Sequence, residues 1–142
     1  MSCPDMSGYW TMTTNENFDA YMDALDVNIV IRKIASYLSL DKEILQDGTH
    51  FLIRTISTFR SYDMDFLVGE EFQEDLTGVD DRICMTTVCW EQDRLVCVQK
   101  GEKEGRGWTQ WVEGDQLHLE LRVGDVVCKQ VFSKQEDKPS QP

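Results

Sequence analysis

Alternation of apolar and polar positions dominates most of this chain. Residues 60–66 read Arg-Ser-Tyr-Asp-Met-Asp-Phe, and residues 117–122 read Leu-His-Leu-Glu-Leu-Arg. Side chains two apart on a strand point the same way, so this pattern predicts strands with one buried face. Such runs return every eight to twelve residues from Asp41 onward. Turn signals separate them at Asp47-Gly48, Val68-Gly69, Thr77-Gly78, Gly114-Asp115 and Gly124-Asp125. With a first strand over 8–15, about ten strands are expected.

The period changes only once. Phe18, Tyr21, Met22 and Leu25 recur at helical spacing, and so do Ile31, Ile34, Ala35 and Leu38. Asn15 or Asn17 is available to cap the first helix and Asn28 the second. The link Asp26-Val27-Asn28 is too short for anything but a helix-turn-helix hairpin. The expected fold is therefore mainly β: a ten-stranded antiparallel up-and-down barrel, or flattened clam, with a helix-turn-helix lid between its first two strands. Closing the sheet removes exposed edges, and small barrels of this kind often hold one small ligand. One domain is expected over 1–134, followed by a polar tail, 135–142, expected to be disordered.

Charge and cysteine usage narrow the function classes. Among 142 residues, 26 acids face 14 bases, a net charge of −12. That balance repels phosphate backbones and argues against a nucleic-acid partner. The five cysteines are odd in number and form no CxxC pair. They read as reduced thiols serving as small hydrophobes, and with no signal-peptide pattern at the N-terminus the expected compartment is the cytosol. No histidine–cysteine cluster has metal spacing, and no P-loop, GxSxG or dinucleotide fingerprint occurs. No catalytic residue, metal or cofactor is expected, and the acidic residues read as turn and outward-face positions.

The candidate chemistry lies with two glutamines. Gln110 shares parity with Trp108 and Val112, and Gln130 with Val126, Cys128 and Phe132. A neutral amide on an inward apolar face needs a hydrogen-bond partner. Neighbouring side chains or water can supply it; inside a cavity, so can a ligand with a neutral polar end. A charged end would demand a cation instead. Lys42, on the parity of Ile44, is either a snorkelling surface lysine or a cavity residue.

Several stretches carry a resemblance: Asn15-Glu16-Asn17-Phe18, Ala24-Leu25-Asp26-Val27-Asn28, Ser57-Thr58-Phe59-Arg60, Glu74-Asp75-Leu76-Thr77-Gly78, and 98–111 from Val98-Gln99-Lys100-Gly101 to Trp108-Thr109-Gln110-Trp111. Over nearly its whole length the chain resembles the intracellular lipid-binding (fatty-acid-binding-protein) family, and within it the cellular retinol-binding group, nearest to its type I. The resemblance implies a cytosolic, monomeric, non-catalytic carrier of all-trans-retinol and retinaldehyde, without a cofactor. Gln110 would hydrogen-bond the retinol hydroxyl, with Gln130 and Lys42 nearby. In carboxylate-binding relatives both glutamine positions are typically arginine, with a tyrosine where this chain has Phe132. Phe18, Thr55, Tyr62, Met64 and Trp108 would form the walls, joined by Ile31, Ala35 and Ile53 on inward faces. Phe59 with Arg60, Ile31 with Arg32, and Val79 with Asp80 would line a portal beneath the lid. Arg32, Lys33 and Arg60 form a basic patch that could meet a membrane or a retinoid enzyme. Alternatives are another neutral lipid such as a monoacylglycerol, a fatty acid, or an empty interaction scaffold.

Magnitudes divide the labour. Burying roughly 400 Å² of polyene surface is worth on the order of 10 kcal/mol before ordering costs. The hydroxyl hydrogen bond adds about 1 kcal/mol, whereas a carboxylate buried without a cation costs several kcal/mol. Burial would supply affinity, and the glutamines selectivity.

Overall fold

The alternating segments fold as one antiparallel meander. A computed structural model describes residues 3–136. Its strands are β1 (Gly8–Glu16), β2 (Asp41–Asp47), β3 (His50–Ile56), β4 (Ser61–Leu67), β5 (Phe72–Asp75), β6 (Ile83–Glu91), β7 (Arg94–Lys100), β8 (Gly107–Glu113), β9 (Gln116–Val123) and β10 (Val126–Gln135). Two helices, α1 (Phe18–Ala24) and α2 (Ile29–Ser36), lie between β1 and β2. The sheet order is β4-β3-β2-β1-β10-β9-β8-β7-β6-β5. The ten-stranded barrel with its helical insert is the architecture expected from the pattern.

β1 joins the first and last parts of the meander by pairing with both β2 and β10. Gly8–Thr11 face β2, while the strand also pairs with β10 from Tyr9↔Gln135 to Glu16↔Lys129. The register slips between Met12 and Thr14, and the extra residue, Thr13, sends its hydroxyl to the Val131 carbonyl at 3.0 Å. Such a bulge bends a strand and increases its twist, as a barrel corner requires.

The C-terminal boundary differs from expectation. Gln135, the first residue of the expected tail, continues β10 opposite Tyr9, after Ser133 and Lys134 opposite Thr11 and Trp10. Ladder pairing uses backbone groups, and only one face of a strand must be apolar, so polarity alone does not end a strand. The rest of the expected disordered tail, 137–142, lies outside the described residues.

The core follows side-chain parity. Trp10, Ile44, Phe51, Val88, Leu95, Cys97, Leu117 and Phe132 are buried, with Phe51 and Phe66 stacked at 5.4 Å and Phe66 and Phe72 at 6.0 Å. Met6, in the segment before β1, is also fully buried; its N–H donates to Gln46 Oε1 and its carbonyl accepts from Trp10 Nε1. Gly107 permits the close approach of β8 to β7. A Cβ there would sit 2.1 Å from the Cys97 carbonyl oxygen. The cysteines are free; Cys84, Cys97 and Cys128 are buried as expected of small hydrophobes, but Cys89 lies exposed on the outward parity of β6.

The helices differ in how they seat. In α1, Tyr21 and Leu25 pack on Val123 and Cys128 from the ends of β9 and β10. Its N-cap, Asn17, is left-handed (φ 67°) and makes no side-chain cap bond; its amide donates instead to the Val127 carbonyl. At α2 the expected cap is made, with Asn28 Oδ1 accepting from the Ile31 N–H at 3.0 Å. No residue of α2 is fully buried, and Ile29, Val30 and Ile34 are exposed. Only part of its apolar stripe therefore faces the barrel.

Candidate functional site

Inward parity brings the two glutamines together with Lys42 in a cavity of about 170 Å³. Its walls include Phe18, Ile53, Thr55, Tyr62, Met64 and Trp108. A second chamber of about 160 Å³ lies under the lid, where Ile31, Ala35, Phe59, Arg60 and Val79 meet. Phe18, Tyr21, Leu40, Thr55, Tyr62 and Val79 border both chambers, so the two adjoin, one deep in the barrel and one beneath the lid.

The glutamine amides are almost wholly withdrawn from solvent, Gln110 at 1% and Gln130 at 2% exposure. Gln130 Nε2 donates to Asn15 Oδ1 at 3.2 Å. Among the described residues, Gln110 Nε2 has only the Met6 sulfur, at 3.3 Å. A thioether is a weak acceptor, so this amide is poorly satisfied by the protein and suited to a better partner. Lys42 is buried rather than snorkelling. Its Nζ donates to Thr55 Oγ1 at 2.8 Å and lies 5.9 Å from the Phe132 ring centroid. Burial pushes its amine down to about 8, because the apolar surround disfavours the charged form.

Sequence reasoning missed a second polar group in the same cavity. Acidic residues were assigned to turns and outward faces, but Glu74 is buried on β5. It accepts from Tyr62 Oη at 2.6 Å, Thr86 Oγ1 at 2.7 Å and Gln99 Nε2 at 3.0 Å. Burial, then the bond to Glu74, raises the Tyr62 phenol well above its usual range. The Asp80 side chain, expected at the portal, is instead fully buried between Arg106 (2.8 and 2.9 Å) and Arg82 (2.9 Å). The missed signal was parity: Glu74 lies between Phe72 and Leu76, Gln99 follows Leu95 and Cys97, and Arg106 precedes Trp108 and Gln110.

Arg32 also departs from its expected place. It does not border the lid chamber. Its guanidinium pairs with Asp19 (3.1 Å) and Asp23 (3.2 Å) and donates to the Val27 carbonyl, which binds α2 to α1. The basic patch expected from Arg32, Lys33 and Arg60 is thus partly neutralised. Arg60 donates to the Gly78 carbonyl at 2.7 Å and covers the Phe59 ring at 4.7 Å, joining two portal turns.

A nearly closed antiparallel barrel with a helical lid over an apolar cavity defines a class of small-ligand binders, and the chain belongs to the Lipocalin / cytosolic fatty-acid binding protein family, matched over residues 7–135. It is 70% identical to human (Homo sapiens) retinol-binding protein 1 over 130 residues, covering 92% of this chain and 96% of that protein. Retinol-binding protein 5 of Pongo abelii is 50% identical over 131 residues, covering 92% of this chain and 97% of that one. Among solved structures, human cRBP IV superposes with a TM-score of 0.92 at 50% identity, covering 93% and 99% of the two chains. The REP1-NXSQ fatty acid transporter superposes at 0.85 with 32% identity, covering 94% and 98%.

Proposed function

We propose that the protein is a monomeric cytoplasmic carrier, not an enzyme, that holds all-trans-retinol in the barrel and also accepts retinaldehyde. The observation that carries this reading is Gln110: a neutral amide, buried beside an apolar cavity, whose nearest protein partner is a thioether. The retinol hydroxyl is the ligand group that would satisfy it, while the polyene lies between the apolar walls and extends under the lid. High identity to retinol-binding protein 1 supports the choice of ligand. The wall guanidinium, Arg106, is already matched by Asp80, so it offers a carboxylate ligand little. Lys42 lines the same cavity as the glutamines, and its charge is opposed by burial. Release would follow opening of the helices and of the turns around Phe59 and Val79, with delivery to retinoid-metabolising enzymes or a membrane through this portal.

A fluorescence titration of apo-protein with all-trans-retinol, beside retinoic acid and oleate, tests the assignment. Wild type should bind retinol tightly at one site and the acids weakly. Gln110→Arg should lose roughly tenfold or more for retinol and gain for the acids, since a buried cation then awaits an anion. Absence of saturable retinol binding by wild type would overturn the assignment.

A further inference from the structure

The Glu74 side of the cavity contains two unmet hydrogen-bonding atoms on neighbouring residues. The Gln99 N–H donates to the Arg106 carbonyl at 2.9 Å, so the two residues oppose each other across β7 and β8. Opposed residues of an antiparallel pair present their side chains to the same face. Both side chains line the cavity, at 5% and 4% exposure. Gln99 Nε2 donates to Glu74, and a carboxylate oxygen only accepts, so the amide cannot be turned over without losing that bond. Among the described residues, its Oε1 is left buried without a partner. Arg106 commits Nη1 and Nη2 to Asp80, and its Nε is likewise buried without a partner.

An orphan acceptor and an orphan donor on opposed residues of the same cavity wall select a group that both donates and accepts. A carboxylate would satisfy Arg106 Nε but meet Gln99 Oε1 and Glu74 with like polarity. An ammonium would satisfy Gln99 but face the guanidinium. A hydroxyl satisfies both. Building on the carrier reading above, we infer that the Gln99–Arg106 corner is a second hydroxyl subsite, which lets the cavity take apolar ligands bearing a hydroxyl in addition to the one held at Gln110.

Binding of matched n-alkanols and α,ω-alkanediols over a series of chain lengths, by wild type and Gln99→Leu, tests this. In a cavity with one polar subsite a second buried hydroxyl stays unpaired and weakens binding roughly tenfold or more. At the chain length that spans the two subsites, wild type should bind the diol within about threefold of the alkanol, or more tightly. Gln99→Leu should restore the penalty. The wild-type series stands alone if the variant does not fold. Wild-type rejection of diols at every length, with alkanols and retinol still bound, would mean that the corner holds water only and would overturn the inference alone. Failure of retinol and alkanols alike to bind would overturn the carrier reading and this inference with it.

Discussion

Lys42 shows how one buried group couples the cavity to pH. Its amine lies near 8 in the folded protein, below the ordinary lysine value of 10.5. Between these values the unfolded chain holds more protons, so the Lys42 contribution to stability rises with pH through that window. Buried Cys84, Cys97 and Cys128 and the Tyr9, Tyr21 and Tyr62 phenols are shifted upward, and they act in the opposite sense as the pH becomes alkaline. Comparing wild type with Lys42→Met cancels those groups. Denaturant unfolding should find the variant's advantage greatest below pH 8 and reduced by about 2 kcal/mol near pH 10. A difference independent of pH would show that the amine is not desolvated. The residue scale is also where the sequence was easiest to read: Gln110, Gln130, Tyr62 and Met64 reach the cavity because parity alone fixes their face.

At the scale of elements, the lid is held by charged side chains as well as by the packing of Tyr21 and Leu25. Arg82 Nη1 donates to the Leu25 carbonyl at the end of α1 (2.7 Å), and Nη2 reaches Asp26 (2.7 Å) and Glu102 (3.2 Å). Lys103 adds a 3.0 Å contact to Asp26. The link between the helices is thereby tied to the turns before β6 and β8. Arg82→Gln removes the Arg82 ties and leaves the Lys103–Asp26 contact and the Asp80–Arg106 pair in place. Hydrogen exchange of amides in 18–36 and ligand dissociation should both accelerate about fivefold to tenfold, with barrel amides unchanged. Unchanged lid exchange would assign lid retention to apolar packing instead. None of this was visible in the helical periodicity, and the resemblance placed Arg32 at the portal when its guanidinium in fact clasps α1.

For the whole molecule, the informative place is where the barrel does not close by backbone. The sheet begins at β4 and ends at β5, and no ladder joins these two strands among the described residues. Side chains bridge them instead, through the Tyr62–Glu74 bond at 2.6 Å and the Phe66–Phe72 stack. Tyr62→Phe removes the bond but keeps the ring. Its unfolding free energy should fall by about 1–3 kcal/mol, with faster exchange in β4 and β5 than in β1 or β10. A uniform change across all strands would show that the bond stabilises the barrel globally rather than closing this seam.

The sequence by itself determined the number of strands, the position of the helical insert, the inward face of each strand and the two neutral amides that define the main site. All of these are local: they follow from periods of two and 3.6, turn residues and the identity of single side chains. Tertiary structure alone decided that Met6 meets Gln110, that Asp80 is shared by Arg82 and Arg106, that Glu74 gathers three donors, and that Gln135 belongs to β10. Each of those facts depends on which distant residue arrives across a nearly closed sheet. Whether a polar side chain is solvated or paired is set by that partner, and chain periodicity carries no information about it.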